Sequence, residues 1–111
     1  MAKDDAFFAA GAGEWTSPEP GVTRRVMSYR GEMMMVEVVF ENGAVGAMHA
    51  HPHVQASYVA EGSVDVTIDG VKQTLAKGSS FIVAPNLVHG VVALEPSRLI
   101  DVFTPMRETF V

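Results

Sequence analysis

A chain of 111 residues, 48% of them hydrophobic, is long enough for one domain with one core, and no apolar run approaches the ~20 residues that a bilayer span requires. The absence of cysteine excludes disulfides, thiolate metal sites and thiol nucleophiles, so any metal must be held by nitrogen and oxygen donors. Eight basic against thirteen acidic side chains leave a charge of −5 with no Lys/Arg cluster, which argues against nucleic acid as a partner.

In chain order, the start "MAKDDAFFAAGAGEW" has no basic flank ahead of its short apolar patch, so a soluble, cytoplasmic protein without a leader or membrane anchor is expected. Residues 1–20 are expected to form an arm over the rest of the domain, with "DDAFFAAGAG" making one or two helical turns or lying across a sheet edge. Residues 21–111 alternate β-prone runs with turn signals. The runs are "TRRVMSY", "MMMVEVVF", "VQASYVAEG", "SVDVTID", "VKQTLA", "SSFIVA", "HGVVAL" and "RLIDVFTP". Connections this short leave no room for crossover helices, so neighbouring strands must pair antiparallel. In "SVDVTID", Val64, Val66 and Ile68 face one way and Asp65, Thr67 and Asp69 the other, a strand with one wet face. By contrast, "MMMVEVVF" and "FIVA" are apolar on both faces, as expected between two sheets or beneath a second subunit. Asn42-Gly43 and Asp69-Gly70 predict two-residue hairpins, because both residue types tolerate the positive φ such turns need. The predicted fold is all-β, a single antiparallel sandwich or barrel.

Three of the four histidines fall within five residues, at His49, His51 and His53. In extended chain, residues two apart share a face, about 6.6 Å apart at Cα, so His49 and His51 can aim both imidazoles at one point, as zinc and similar ions require. His53 and Gln55 keep the same parity, but Pro52 interrupts regular pairing, and parity alone does not choose between them. His89 opens a new strand after Pro85-Asn86 and could close the site from across the barrel. The competing reading is a solvated histidine loop. A two-apart pair beside an oxygen donor favours a specific metal site.

These residues resemble the first motif of the cupin family: a glycine, HxH, an acid or Gln, and a second glycine, here Gly43, His49, His51, Gln55 and Gly62. Gly78, Pro85 and His89 resemble the second motif, one residue short of its commonest Pro-to-His spacing. The resemblance covers residues 21 to 103. It implies an antiparallel double-sheet jelly-roll barrel whose metal ligands are His49, His51, Gln55 and His89, with His53 a neighbour that orients a ligand, touches substrate or is purely structural. Within the cupins, "DVFTPMR" is similar to the last strand of KdgF-type cupins, which act on unsaturated uronates from pectin and alginate. That similarity implies a pocket using Asp101, Phe103 and Arg107.

Gln55 shapes the expected chemistry. A neutral amide in place of a carboxylate leaves a divalent ion with its full charge among uncharged donors, so the site should attract an anion and favour Lewis-acid work over oxygen chemistry. Asp101 shares a face with Leu99 and Phe103, and a carboxylate among apolar neighbours is either paired, with Arg98 or Arg107, or a candidate general acid or base. Arg107 could grip a substrate carboxylate bidentately or be a solvated rim residue. Phe103 and Tyr58 could wall the pocket or fill the core. Met33, Met34 and Met35 alternate faces and cannot converge on copper, and Arg24 and Arg25 face opposite sides and form no single basic patch. Glu61 is a weaker alternative ligand because it sits at a hairpin.

The expectation is therefore a metal-dependent enzyme, with nickel, zinc, iron or manganese as cofactor, opening the ring of a 4,5-unsaturated monouronate. Asp101 and Arg107 would be catalytic, and Phe103, Arg107, Tyr58 and His53 would contact substrate. The alternatives are a cupin dioxygenase or lyase on another small acid, and a non-catalytic sugar-acid or metal-binding module. The two-sided apolar strands predict a homodimer.

Overall fold

The computed structural model describes residues 6–111. Its ten strands form two antiparallel sheets. In the six-stranded sheet the order is β1 (Thr16–Glu19), β2 (Val22–Arg30), β3 (Met33–Phe40), β10 (Ser97–Thr104), β5 (Val54–Glu61) and β8 (Ser80–Val83). In the four-stranded sheet it is β4 (Val45–His49), β9 (His89–Ala93), β6 (Ser63–Ile68) and β7 (Val71–Ala76). The chain crosses between sheets repeatedly, which gives the jelly roll its closed, double-walled form.

Period-two alternation builds the core. Met34, Val36, Val38 and Phe40 on β3, with Leu99 and Phe103 on β10 and Val59 on β5 of the same sheet, pack in one buried cluster with Val64 and Val66 on β6 of the other. Each such side chain contributes roughly 1.5–3 kcal/mol on leaving water. The opposite face of β3 carries half-exposed Met33 and Met35 and, unexpectedly, buried Glu37. Glu37 is held by two guanidiniums: Arg25 at 2.7 Å and Arg98, which bonds its other oxygen. Arg25 also donates to the carbonyls of Ala10 and Ala12 at 2.6 and 3.0 Å, pinning the N-terminal segment to the outside of this sheet.

Several local expectations change. Asp4 and Asp5 lie outside the described residues, and from Ala6 to Trp15 the chain makes one turn, closed by Ala12 N–H donating to Ala9, rather than helical turns. The last part of the expected arm is strand β1, paired with β2 at the sheet edge, where Pro18 is tolerated because an edge leaves a donor unused. Asp69-Gly70 makes the expected hairpin, with φ of 50° and 80° and Ile68 opposite Val71. Asn42-Gly43 does not. It turns a corner from β3 in one sheet to β4 in the other, and Gly43 N–H donates to Ala93. β4, "VGAMH", was not predicted as a strand, because it lacks the β-branched run and owes its place to pairing with β9.

Gly62 makes the passage from β5 to β6 possible. Its φ is 83°, and a Cβ there would stand 2.5 Å from the Pro96 carbonyl oxygen and collide with Ser97.

Candidate functional site

Both sheets contribute donors to a cavity of about 250 Å³ between them. His49, the last residue of β4, lies directly opposite His89, the first of β9. His51 follows two residues on in the loop, and Gln55 comes from β5 in the other sheet. The three imidazoles offer nitrogens that all lie within 4.8 Å of one another. Gln55 Oε1 stands 3.1 Å from His51 Nε2 and 3.2 Å from His89 Nε2.

The hydrogen bonds decide what these atoms are. Each Nδ1 faces a backbone carbonyl, His49 that of Ala47 at 2.9 Å, His51 that of His53 at 3.2 Å and His89 that of Leu87 at 2.9 Å. A carbonyl only accepts, so each Nδ1 carries the proton and each neutral ring leaves Nε2 as a bare lone pair. Burial, then the charge of Arg107, pushes His51 down to about 4, and burial lowers His89, so these rings are neutral. Gln55 is oriented just as firmly. Its Nε2 donates to Ser57 Oγ at 3.0 Å, and the Ser57 hydroxyl donates to Asp101 Oδ1 at 2.6 Å, so Oε1 must point at the histidines. Lone pairs therefore face lone pairs with no proton between them. That arrangement is repulsive without a cation at its centre, and it fits a divalent metal held by three imidazoles and an amide oxygen.

Asp101 sits on β10 opposite Ser57, between Leu99 and Phe103, and is buried. Burial pushes its carboxyl up to about 6, against the lowering effects of Ser57 and Arg107. Arg98, its alternative partner, instead binds Glu37 and Glu61 on the far side of the sheet. Arg107 lines the cavity from the segment after β10, its guanidinium 5.2 Å from the centre of the Phe103 ring and 4.5 Å from that of Phe110. Phe103 also lines the cavity and meets the His51 ring edge-on at 5.7 Å.

His49, His51, Gln55 and His89 thus come together, with Asp101, Phe103 and Arg107 on the same cavity. His53 turns away. Its Nε2 bonds the Met106 carbonyl at 3.1 Å, which ties down the segment carrying Arg107, and its Nδ1 is buried without a partner among the described residues. Tyr58 does not reach the cavity. It projects from the outer face of β5, 48% exposed, because Gln55, Ser57 and Val59 take the inward parity. Glu61 is likewise on the outside, 3.8 Å from Arg98, and is no ligand of this cluster. Sequence reasoning passed over Ser57, which parity with Gln55 would have placed inside, and Arg24 and Phe110, which also line the cavity.

A closed double-sheet jelly roll with histidines converging in its interior defines a cupin. The chain belongs to that family: the Cupin domain matches residues 36–103. It is 42% identical over 98 residues to the pectin degradation protein KdgF of Dickeya dadantii, covering 86% of this chain and 89% of that one. Among solved structures, KdgF from Halomonas sp. superimposes with a TM-score of 0.90 at 38% identity, over 95% of this chain and 97% of the other. A RmlC-like cupin from Shewanella frigidimarina gives 0.91 at 41% identity, over 95% of each chain. The resemblance to KdgF-type cupins read from the sequence holds across nearly the whole chain.

Proposed function

We propose that this cupin opens the ring of a 4,5-unsaturated monouronate to its linear keto form. The reading is carried by one observation: four uncharged donors converge on a point, and a buried carboxyl, linked to one of them through Ser57, lines the same cavity. Its support is the relationship to a pectin degradation protein and the size of the cavity, which falls below the roughly 300–1,000 Å³ typical of drug-sized ligands and suits a single sugar ring.

His49, His51, Gln55 and His89 would hold a divalent ion such as nickel, zinc, iron or manganese. Bound there, the ion supplies Lewis-acid polarisation of sugar oxygens. The chain's own residues do the rest. Arg107 offers a planar fork of donors to the sugar carboxylate, and Phe103 walls the ring. Ring opening breaks the hemiacetal C–O bond, leaving an aldehyde and an enol. The enol becomes a ketone when its hydroxyl proton leaves and a proton adds to the neighbouring alkene carbon, so no atom is gained or lost. Asp101 is the group that moves this proton, since a carboxyl pushed up to about 6 has both protonation states accessible near neutral pH.

The test is direct. Purified protein with its metal content measured is given the monomer released by a pectin or alginate lyase, and loss of the enol-ether ultraviolet absorbance is followed. Turnover above the spontaneous rate is expected, and its absence with metal bound rejects the reading.

The protein is further proposed to act as a homodimer paired through the outer face of the six-stranded sheet. Half or more of Met33 and Ile82 and much of Tyr58 and Met35 lie exposed there, beside Ile100 and Val102.

A further inference from the structure

Five arginines occur in the chain, and they divide sharply. Arg25, Arg30 and Arg98, which do not line the cavity, each have a carboxylate partner. Arg24 and Arg107 line the cavity, and among the described residues neither makes a salt bridge or donates a side-chain hydrogen bond. Strand parity creates the contrast on β2. Arg25 points outward to Glu37, while Arg24, opposite core residue Val38, points inward.

Both inward guanidiniums rest on one ring. Arg24 Cζ lies 3.7 Å from the centre of Phe110 and Arg107 Cζ 4.5 Å, so the two cations can be no farther apart than those distances end to end. Phe110 belongs to the 3-10 turn Glu108–Phe110 that folds back over the cavity. A guanidinium resting on an aromatic face keeps its N–H edge available to an anion. Burial lowers the proton affinity of both; the charge of Arg24 lowers that of Arg107 further against a partial offset from Asp101, and Glu19 only partly offsets burial for Arg24. Glu19 is itself occupied, accepting Ala47 N–H at 3.0 Å. Two half-buried like charges, oriented but unpaired, are an unfavourable arrangement that an anion between them relieves.

We infer that Arg24 is a second substrate-binding arginine, so that Arg24 and Arg107 grip one carboxylate together over Phe110. This deepens the proposed function and rests on its anionic sugar substrate. It makes the site selective for the free acid over the neutral ester or parent sugar.

The experiment compares wild type, Arg24→Gln, Arg24→Lys and Arg107→Gln, all metal-loaded. KM and kcat are measured for the unsaturated monouronate and its methyl ester, and Kd by calorimetry for galacturonate and uncharged galactose. Arg24→Gln is expected to weaken KM and Kd for the acids about tenfold, as loss of one charge-assisted contact does. The ester and galactose should be unmoved, kcat should change far less than KM, and Arg24→Lys should recover much of the loss. Wild-type values for the acid in Arg24→Gln, with Arg107→Gln weakened, overturn this inference and leave ring opening standing. Equal losses for acid and neutral ligands also overturn it, because they report a displaced C-terminal turn. Acid-selective weakening of Kd in a protein without turnover sustains the arginine pair and rejects ring opening. Should Arg24→Gln fail to fold, Arg24→Met keeps the apolar stem and reads the same loss.

Discussion

Replacing Asp101 by Asn keeps the size of the side chain and its acceptance of the Ser57 proton, and removes only the ionisation. Burial raises the carboxyl from its ordinary 3.8 to about 6. About two units at ~1.36 kcal/mol each amount to roughly 3 kcal/mol. Because the folded protein holds this proton more tightly than the unfolded chain, the associated stability is complete below the unfolded value and is lost as pH rises through about 6. Above that range the wild type therefore carries a cost that Asn lacks. Urea unfolding of metal-free protein should find Asp101→Asn more stable by roughly 2–3 kcal/mol at about pH 8, with the difference shrinking towards zero near pH 4. Metal should narrow the gap, because its charge favours the carboxylate. Turnover should fall by at least a hundredfold, on the scale of ~10²–10⁴ for general acid–base groups. An Asn variant less stable at pH 8, or one whose gain is independent of pH, would refute the assignment of a desolvated, proton-holding carboxyl.

Chelating the metal should lower thermal stability by about 2.7 kcal/mol relative to protein held at a hundredfold excess of metal over its Kd, and an unchanged midpoint would contradict the donor set. Gln55→Glu should bind the ion more tightly but the sugar acid more weakly, since a carboxylate cancels charge that attracts the anion; calorimetry reads both. Gly62→Ala should cost at least ~2 kcal/mol in chemical denaturation, from a strained φ and contact with Pro96 and Ser97 together. Ile82→Glu should shift a dimer to monomer in light scattering, and a wild type that is monomeric at micromolar concentration would dispose of the proposed pairing.

How much of this was legible in the sequence depended on distance along the chain. Alternation placed Val64, Val66 and Ile68 on one face and Asp101 with Leu99 and Phe103, because parity within a strand is local. The two-apart histidines converged as expected, although β4 ends at His49 and His51 lies beyond it. What failed was set by partners far away. Asn42-Gly43 has hairpin chemistry, yet β4 finds its mate in β9, where His49 pairs with His89 and Val45 with Val92. Tyr58, read as walling the pocket or filling the core, does neither, because the inward parity of Gln55 puts it outside. Ser57 became meaningful only through its register with Asp101, and Arg24 only once the C-terminal turn had brought Phe110 across.

Because the histidines hang from one wall and from its adjoining loop while Gln55 hangs from the facing wall, a captured ion is also a rivet through the two layers. Its departure demands either that the layers part or that a single tether swing aside first. Of the four, only His49 stands exposed to solvent. Escape should therefore begin there, and the off-rate of the ion should respond to changes around β4 well before it responds to anything on β5.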